Sequence, residues 1–178
     1  MKGSFPTDTD VKPVLKKNDL TEKKESNHLF SKEEHLKWKK EQKILEAKFK
    51  ILLKFFSILY PKLFFTDPKK MVPLAVGIMS AIGKDLKAKK LDDAYKQYSD
   101  LGYKFLRWYT SSNSYLIAIL KGTKRYGLNN MEQELLSAHK QYAKDKLQKN
   151  LNKLRKIENK TPNLNKYIAF LSAVLKKF

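Results

Sequence analysis

At 178 residues, 42% hydrophobic and 31% charged, the chain is too apolar for wholesale disorder and more charged than a typical enzyme, which fits one domain with polar flanks. It has no cysteine, so disulfides, thiolate metal sites and cysteine nucleophiles are excluded. No apolar run approaches the roughly 18–20 residues needed to span a bilayer, and the start Met1-Lys2-Gly3-Ser4 leads into polar sequence, so the cytoplasm is the expected compartment.

The net charge of +20 is unevenly spread. Residues 1–46 carry 11 basic and 9 acidic side chains, 47–139 carry 16 and 7, and 140–178 carry 11 and 2. The positive field therefore belongs to the centre and tail. Such a field attracts polyanions, nucleic acid before anionic membrane, although a solvated lysine surface would look the same in composition.

In chain order, residues 1–30 carry Pro6, Pro13 and scattered charges without apolar period, and read as a disordered extension. Ser31-Lys32-Glu33-Glu34 is a capping-box pattern that opens a helix. Leu45, Phe49, Leu52, Phe56 and Leu59 give that helix one buried face, and Pro61 ends it. Three prolines mark 61–73 as a connection. Leu74, Ile78 and Ile82 predict a second helix to about Lys90, 91–99 is ambiguous between loop and short helix, and Leu101, Phe105 and Trp108 mark a helix stopping near Tyr109. Thr110, Ser111 and Ser112 are consecutive N-cap candidates for a helix with the face Leu116, Ile119 and Leu120, and Gly122 suits its C′ position. Residues 123–136 lose helical period around Asn129-Asn130, a fair two-residue hairpin turn. A last core helix begins near Glu134 with the face Leu136, Ala143, Leu147, Leu151 and Leu154. Thr161-Pro162 breaks it, and Leu164, Tyr167, Ile168, Leu171, Leu175 and Phe178 form a separate amphipathic helix.

Catalytic patterns are missing. Gly77 and Gly83-Lys84 superficially suggest a phosphate loop, but five residues separate the glycines and Asp85 stands where a magnesium-holding hydroxyl belongs. His28, His35 and His139 lack metal-ligand spacing. Glu33-Glu34 and Asp92-Asp93 are adjacent pairs, which point in different directions on a helix and so suit caps better than an acid/base couple. No enzyme activity, metal or cofactor is expected.

Four pieces in order carry a family resemblance: Leu59-Tyr60-Pro61-Lys62-Leu63-Phe64, Pro73-Leu74-Ala75-Val76-Gly77-Ile78, Tyr109-Thr110-Ser111-Ser112-Asn113-Ser114-Tyr115-Leu116, and Gly122-Thr123-Lys124-Arg125-Tyr126-Gly127-Leu128 followed by His139. Over about Ile51 to Lys144 the chain resembles the ProQ/FinO RNA-chaperone domain. Ala75 departs from the lysine many relatives have there, and Ser114 from an arginine found in some. The resemblance implies a mainly α fold, a compact helical domain with one small β-hairpin, over 31–158. The extension 1–30 and the C-terminal helix 159–178 flank it. It also implies a pocket for the 3′-terminal nucleotides of RNA.

The residues themselves converge on that place. A helix N-terminus offers unpaired N–H groups and a positive dipole end, Thr110, Ser111 and Ser112 add hydroxyls, and a 3′ end supplies phosphate and ribose hydroxyls. Tyr115 could stack on a base or bond a sugar, and Arg125 could fork onto phosphate. Only three of the 38 cations are arginines, and Arg107 and Arg125 fall in or beside this region. Lys104, Lys121 and Lys124 are plausible phosphate contacts, while Tyr109, Leu116 and Trp108 read as core. Alanine at Tyr115 or Arg125 is expected to weaken RNA binding by about 1–3 kcal/mol without unfolding the domain. The expected partner is a stem-loop RNA with a single-stranded 3′ tail, or small-RNA–mRNA duplexes, bound by a monomer without membrane contact. The rival readings are a DNA-binding accessory protein and a membrane-surface or protein-interaction module built on 163–178.

Overall fold

The computed structural model describes residues 31–178, so the extension read at 1–30 lies outside the described residues. Six α-helices and one hairpin follow: α1 (Lys32–Leu59), α2 (Ile78–Ala88), α3 (Asp92–Thr110), α4 (Asn113–Lys121), β1 (Lys124–Tyr126), β2 (Glu132–Glu134), α5 (Ser137–Arg155) and α6 (Pro162–Lys177). The capping box at the start of α1 is present: the Glu34 amide donates to Ser31 Oγ at 3.1 Å and the Ser31 amide donates to Glu34 Oε2 at 2.8 Å. Phe49, Leu52, Leu53 and Phe56 are its buried face. Pro61 cannot continue the helix, which ends at Leu59 with Tyr60 as its cap.

The core is unusually aromatic. The Phe56 ring lies 5.3–5.9 Å from those of Phe64, Tyr98, Phe105 and Tyr60, in tilted or edge-on geometries that suit ring quadrupoles. Tyr60 also ties α1 to α2, its hydroxyl donating to Asp85 at 2.7 Å. Burial pushes the Asp85 carboxyl up, but the hydrogen bonds from Lys89 and Tyr60 outweigh it and hold its pKa below the ordinary value.

Several boundaries differ from the sequence reading. Leu74 does not begin a helix: it lies in an extended segment that bridges Tyr126 in parallel, and α2 starts only after Gly77, which adopts φ 83°. The ambiguous stretch 91–99 is helical and continuous with the next segment, so α3 runs from Asp92. Gly122 is a C-cap with φ −71°, so left-handed freedom is not its role. A Cβ there would stand 2.9 Å from Pro73 Cγ, and close approach explains the glycine. The hairpin pairs Arg125 with Gln133 and Tyr126 with Glu132. Its connection is longer than two residues, and Asn129 and Asn130 both have positive φ. Helix α5 starts at Ser137, three residues after the expected Glu134. Leu135 is the buried residue there, while Leu136 is 48% exposed.

Helix α6 packs against α5, with Thr161 as its N-cap and Pro162 in its first turn. Leu171 is fully buried in the shared core, with Ile168, Val174 and Leu175 packed against it.

Gly102 tests the packing of α3. Alanine in a helix interior is ordinarily favoured over glycine by about 1 kcal/mol. Here its Cβ would fall 2.7–3.0 Å from three ring atoms of Tyr98, which is buried and donates to the Met79 carbonyl at 3.1 Å. Overpacking of this kind costs about 1–3 kcal/mol, so Gly102→Ala is predicted to lower stability in urea unfolding despite the better propensity.

Candidate functional site

Leu74 organises this region. Its amide donates to the Tyr115 hydroxyl at 2.9 Å and its carbonyl accepts from Arg125 Nη1 at 2.8 Å. On either side of it the backbone pairs with β1: the Tyr126 amide donates to Pro73 O and the Ala75 amide to Tyr126 O, each at 2.8 Å. Gln133 extends the clasp, its Oε1 accepting from the Val76 amide at 2.8 Å. The start of α4, the extended segment 73–76 and the hairpin are thereby fastened to one another.

Beside this clasp lies a concavity of about 270 Å³ whose polar lining includes Thr110, Ser111, Arg125, His139, Tyr142 and Lys146, with Tyr115 at its wall. Two lining nitrogens are buried without a hydrogen-bond partner, Arg125 Nε and His139 Nδ1. An unpartnered buried donor or acceptor costs about 1–3 kcal/mol, which a ligand group could recover. Arg125 Nη1 holds the Leu74 carbonyl, and the guanidinium lies beside the Tyr115 hydroxyl.

Of the sequence candidates, Thr110, Ser111, Tyr115 and Arg125 come together here. The helix-terminus part of the expected socket does not form as read. Thr110 is the last residue of α3, with its hydroxyl donating to Leu106 O at 2.7 Å. The Ser111 and Ser112 amides donate to Arg107 O and Tyr109 O, so both are already satisfied within the protein. Ser112 is the N-cap of α4, accepting from the Tyr115 amide at 3.3 Å, and does not line the concavity. Lys104 and Arg107 are exposed on α3 outside the lining, and Lys121 faces a separate depression with Lys140 and Lys144. Lys124 is ion-paired with Glu132, whose hydrogen bond and charge raise its pKa.

Tyr115 is also more enclosed than expected. It is 5% exposed and meets Tyr109 edge-on at 5.8 Å, which leaves no open ring face for a base. Burial pushes its phenol up, partly offset by the Leu74 amide and by the charge and hydrogen bond of the neighbouring Arg125. Tyr109, pushed up to about 12 by burial, is core as read. Trp108 packs on Phe49 and Phe105, also as read.

His139, Tyr142 and Lys146 were not among the candidates. Their spacing places them on one stripe of α5, beside the buried Ala143 and Leu147. A polar stripe flanking a core stripe was a readable signal, but which partner it faced was not. Among the described residues, no cluster of His, Asp or Glu could hold a metal, and no helix is long and apolar enough to cross a membrane.

The described residues thus form a helical domain with a small hairpin beside a basic concavity. A family model described as the ProQ/FINO family matches residues 47–160, well over half the chain. The chain belongs to the ProQ/FinO family of RNA-binding proteins. No curated protein and no solved structure matches it.

The clasp revises the expected effect of alanine at position 115. Removing a buried aromatic ring costs about 3–5 kcal/mol, so Tyr115→Ala is predicted to destabilise the domain severely rather than to leave it folded. Tyr115→Phe keeps the ring but leaves the Leu74 amide without its acceptor, at about 1–3 kcal/mol. Chemical denaturation of the two variants checks the order, and an alanine variant as stable as phenylalanine would contradict it.

Proposed function

We propose that this chain binds structured RNAs at their 3′ end and adjoining stem, without catalysing a reaction, and acts as a chaperone of small RNAs in post-transcriptional regulation in the cytoplasm. The observation that carries the reading is the pair of buried, unpartnered nitrogens, Arg125 Nε and His139 Nδ1, lining one small concavity in an RNA-binding family. Arg125 supplies a fork for the terminal phosphodiester. His139 Nδ1 can accept from a ribose hydroxyl, or donate to phosphate when protonated, and Ser111 adds a hydroxyl. A ligand with one anionic group and two adjacent hydroxyls answers all three, and the last nucleotide of an RNA has that set.

Lysines outside the concavity serve a different purpose. Lys104, Arg107 and Lys121, with the lysines of α5, supply charge that follows the backbone of an A-form stem, whose deep groove conceals base identity. Each phosphate so neutralised releases counterions, which makes the affinity fall steeply with salt. Lys124 contributes less, because Glu132 already pairs with it.

Competition binding tests the reading. A hairpin RNA with a free 3′-hydroxyl tail is predicted to bind about tenfold or more tightly than the same RNA blocked by a 3′-phosphate, the scale of one or two lost hydrogen bonds in a buried site. It is also predicted to outcompete duplex DNA of equal length. Equal affinity for free and blocked ends would refute the terminal socket, and a preference for DNA would favour a DNA-binding role.

A further inference from the structure

Helix α6 lies outside the residues matched to the family and carries an aromatic pair that core packing does not use. The rings of Tyr167 and Phe170 stack with centroids 6.3 Å apart and an interplanar angle of 22°. Both remain accessible, Tyr167 at 38% and Phe170 at 50%, while Leu171 beside them is fully buried. The pair is joined to the candidate site. Asn113 Nδ2 donates to the Tyr167 hydroxyl at 3.0 Å, and Asn113 Oδ1 accepts from Asn150 at 2.8 Å. Asn113 stands two residues beyond Ser111, and Asn150 one turn beyond Lys146, both of which line the concavity.

We infer that Tyr167 and Phe170 form a stacking platform for single-stranded nucleotides that precede the RNA terminus, extending the site beyond the family's matched region. Accessible aromatic faces take bases of any sequence, and α6 adds Lys166, Lys176 and Lys177 without one acidic residue. The asparagine bridge fixes the Tyr167 hydroxyl, so the pair is held in place before any ligand arrives. A membrane is the poorer occupant. Interfacial helices insert their apolar stripe, and here Leu171, with Ile168, Val174 and Leu175 around it, is packed into the core.

The inference rests on the RNA reading above, and the test separates the two. Affinities are measured by the full chain and by Phe170→Ala, Phe170→Leu and Phe170→Tyr variants for two hairpin RNAs, one with an extended 3′ tail and one trimmed to the shortest tail that binds. Loss of one stacked base predicts about a tenfold weaker complex with the extended tail for the Ala and Leu variants, with the Tyr variant close to wild type. The trimmed RNA should show no difference among the four proteins. Unchanged affinity of the Ala variant for the extended tail, or equal losses on both RNAs, would overturn the platform while leaving the terminal socket standing. Wild-type binding that ignores the 3′ end would instead remove the reading on which the inference rests. Binding to anionic phosphatidylserine vesicles that is lost on Phe170→Ala would assign the pair to a membrane and overturn it too.

Discussion

Both backbone polar groups of Leu74 are taken by side chains from elsewhere in the chain, the amide by Tyr115 and the carbonyl by Arg125. The buried segment around it cannot satisfy itself by forming helix, because Pro73 and the turn at Gly77 interrupt the ladder on both sides. Pairing with β1 and capture by the two side chains supply the missing partners. That clasp fastens the start of α4 and the hairpin to the segment 73–76 beside the concavity. Arg125 thus holds the fold through Nη1 while its Nε stays buried without a partner.

Charge alone does not choose the site. Lysines are spread over most of the described surface, and several of the nearest ones are paired or turned elsewhere, as Lys124 is by Glu132 and Lys121 by its place at the end of α4. The concavity is distinguished instead by polar atoms that burial has deprived of water and that no protein group answers. In the proposed reading, a diffuse lysine field would bring an RNA close and orient its stem. In that reading the arginine and histidine nitrogens, being few and fixed, are what would tell a terminus from a continuous strand.

Local signals were legible in the sequence and long-range ones were not. The capping box at Ser31 and the exit at Pro61 depend on a few adjacent residues and stand as read. Of the three cap candidates only Ser112 caps α4, and Thr161-Pro162 opens α6 rather than ending α5, which stops at Arg155. Leu74, Ile78 and Ile82 have helical spacing, so nothing local distinguished Leu74 as a strand-like residue whose partners lie 41 and 51 residues away. The same limit placed Tyr115 correctly at the start of a helix but hid its burial. Leu136 was preferred over Leu135 because a helix period was extended backwards through a strand end. Of the candidate site, Tyr115, Arg125, Thr110 and Ser111 were found from motif and cap chemistry. His139, Tyr142 and Lys146 were missed because their stripe on α5 has meaning only once α5 is packed on α4.

The Arg125 Nε–H proton reports the central claim most directly, since the nitrogen is buried and unpartnered in the free protein. Its nitrogen-15 NMR resonance should move downfield when a short RNA ending in a free 3′-hydroxyl is added. An RNA that saturates the protein while leaving this resonance unmoved would show that the strand end binds elsewhere.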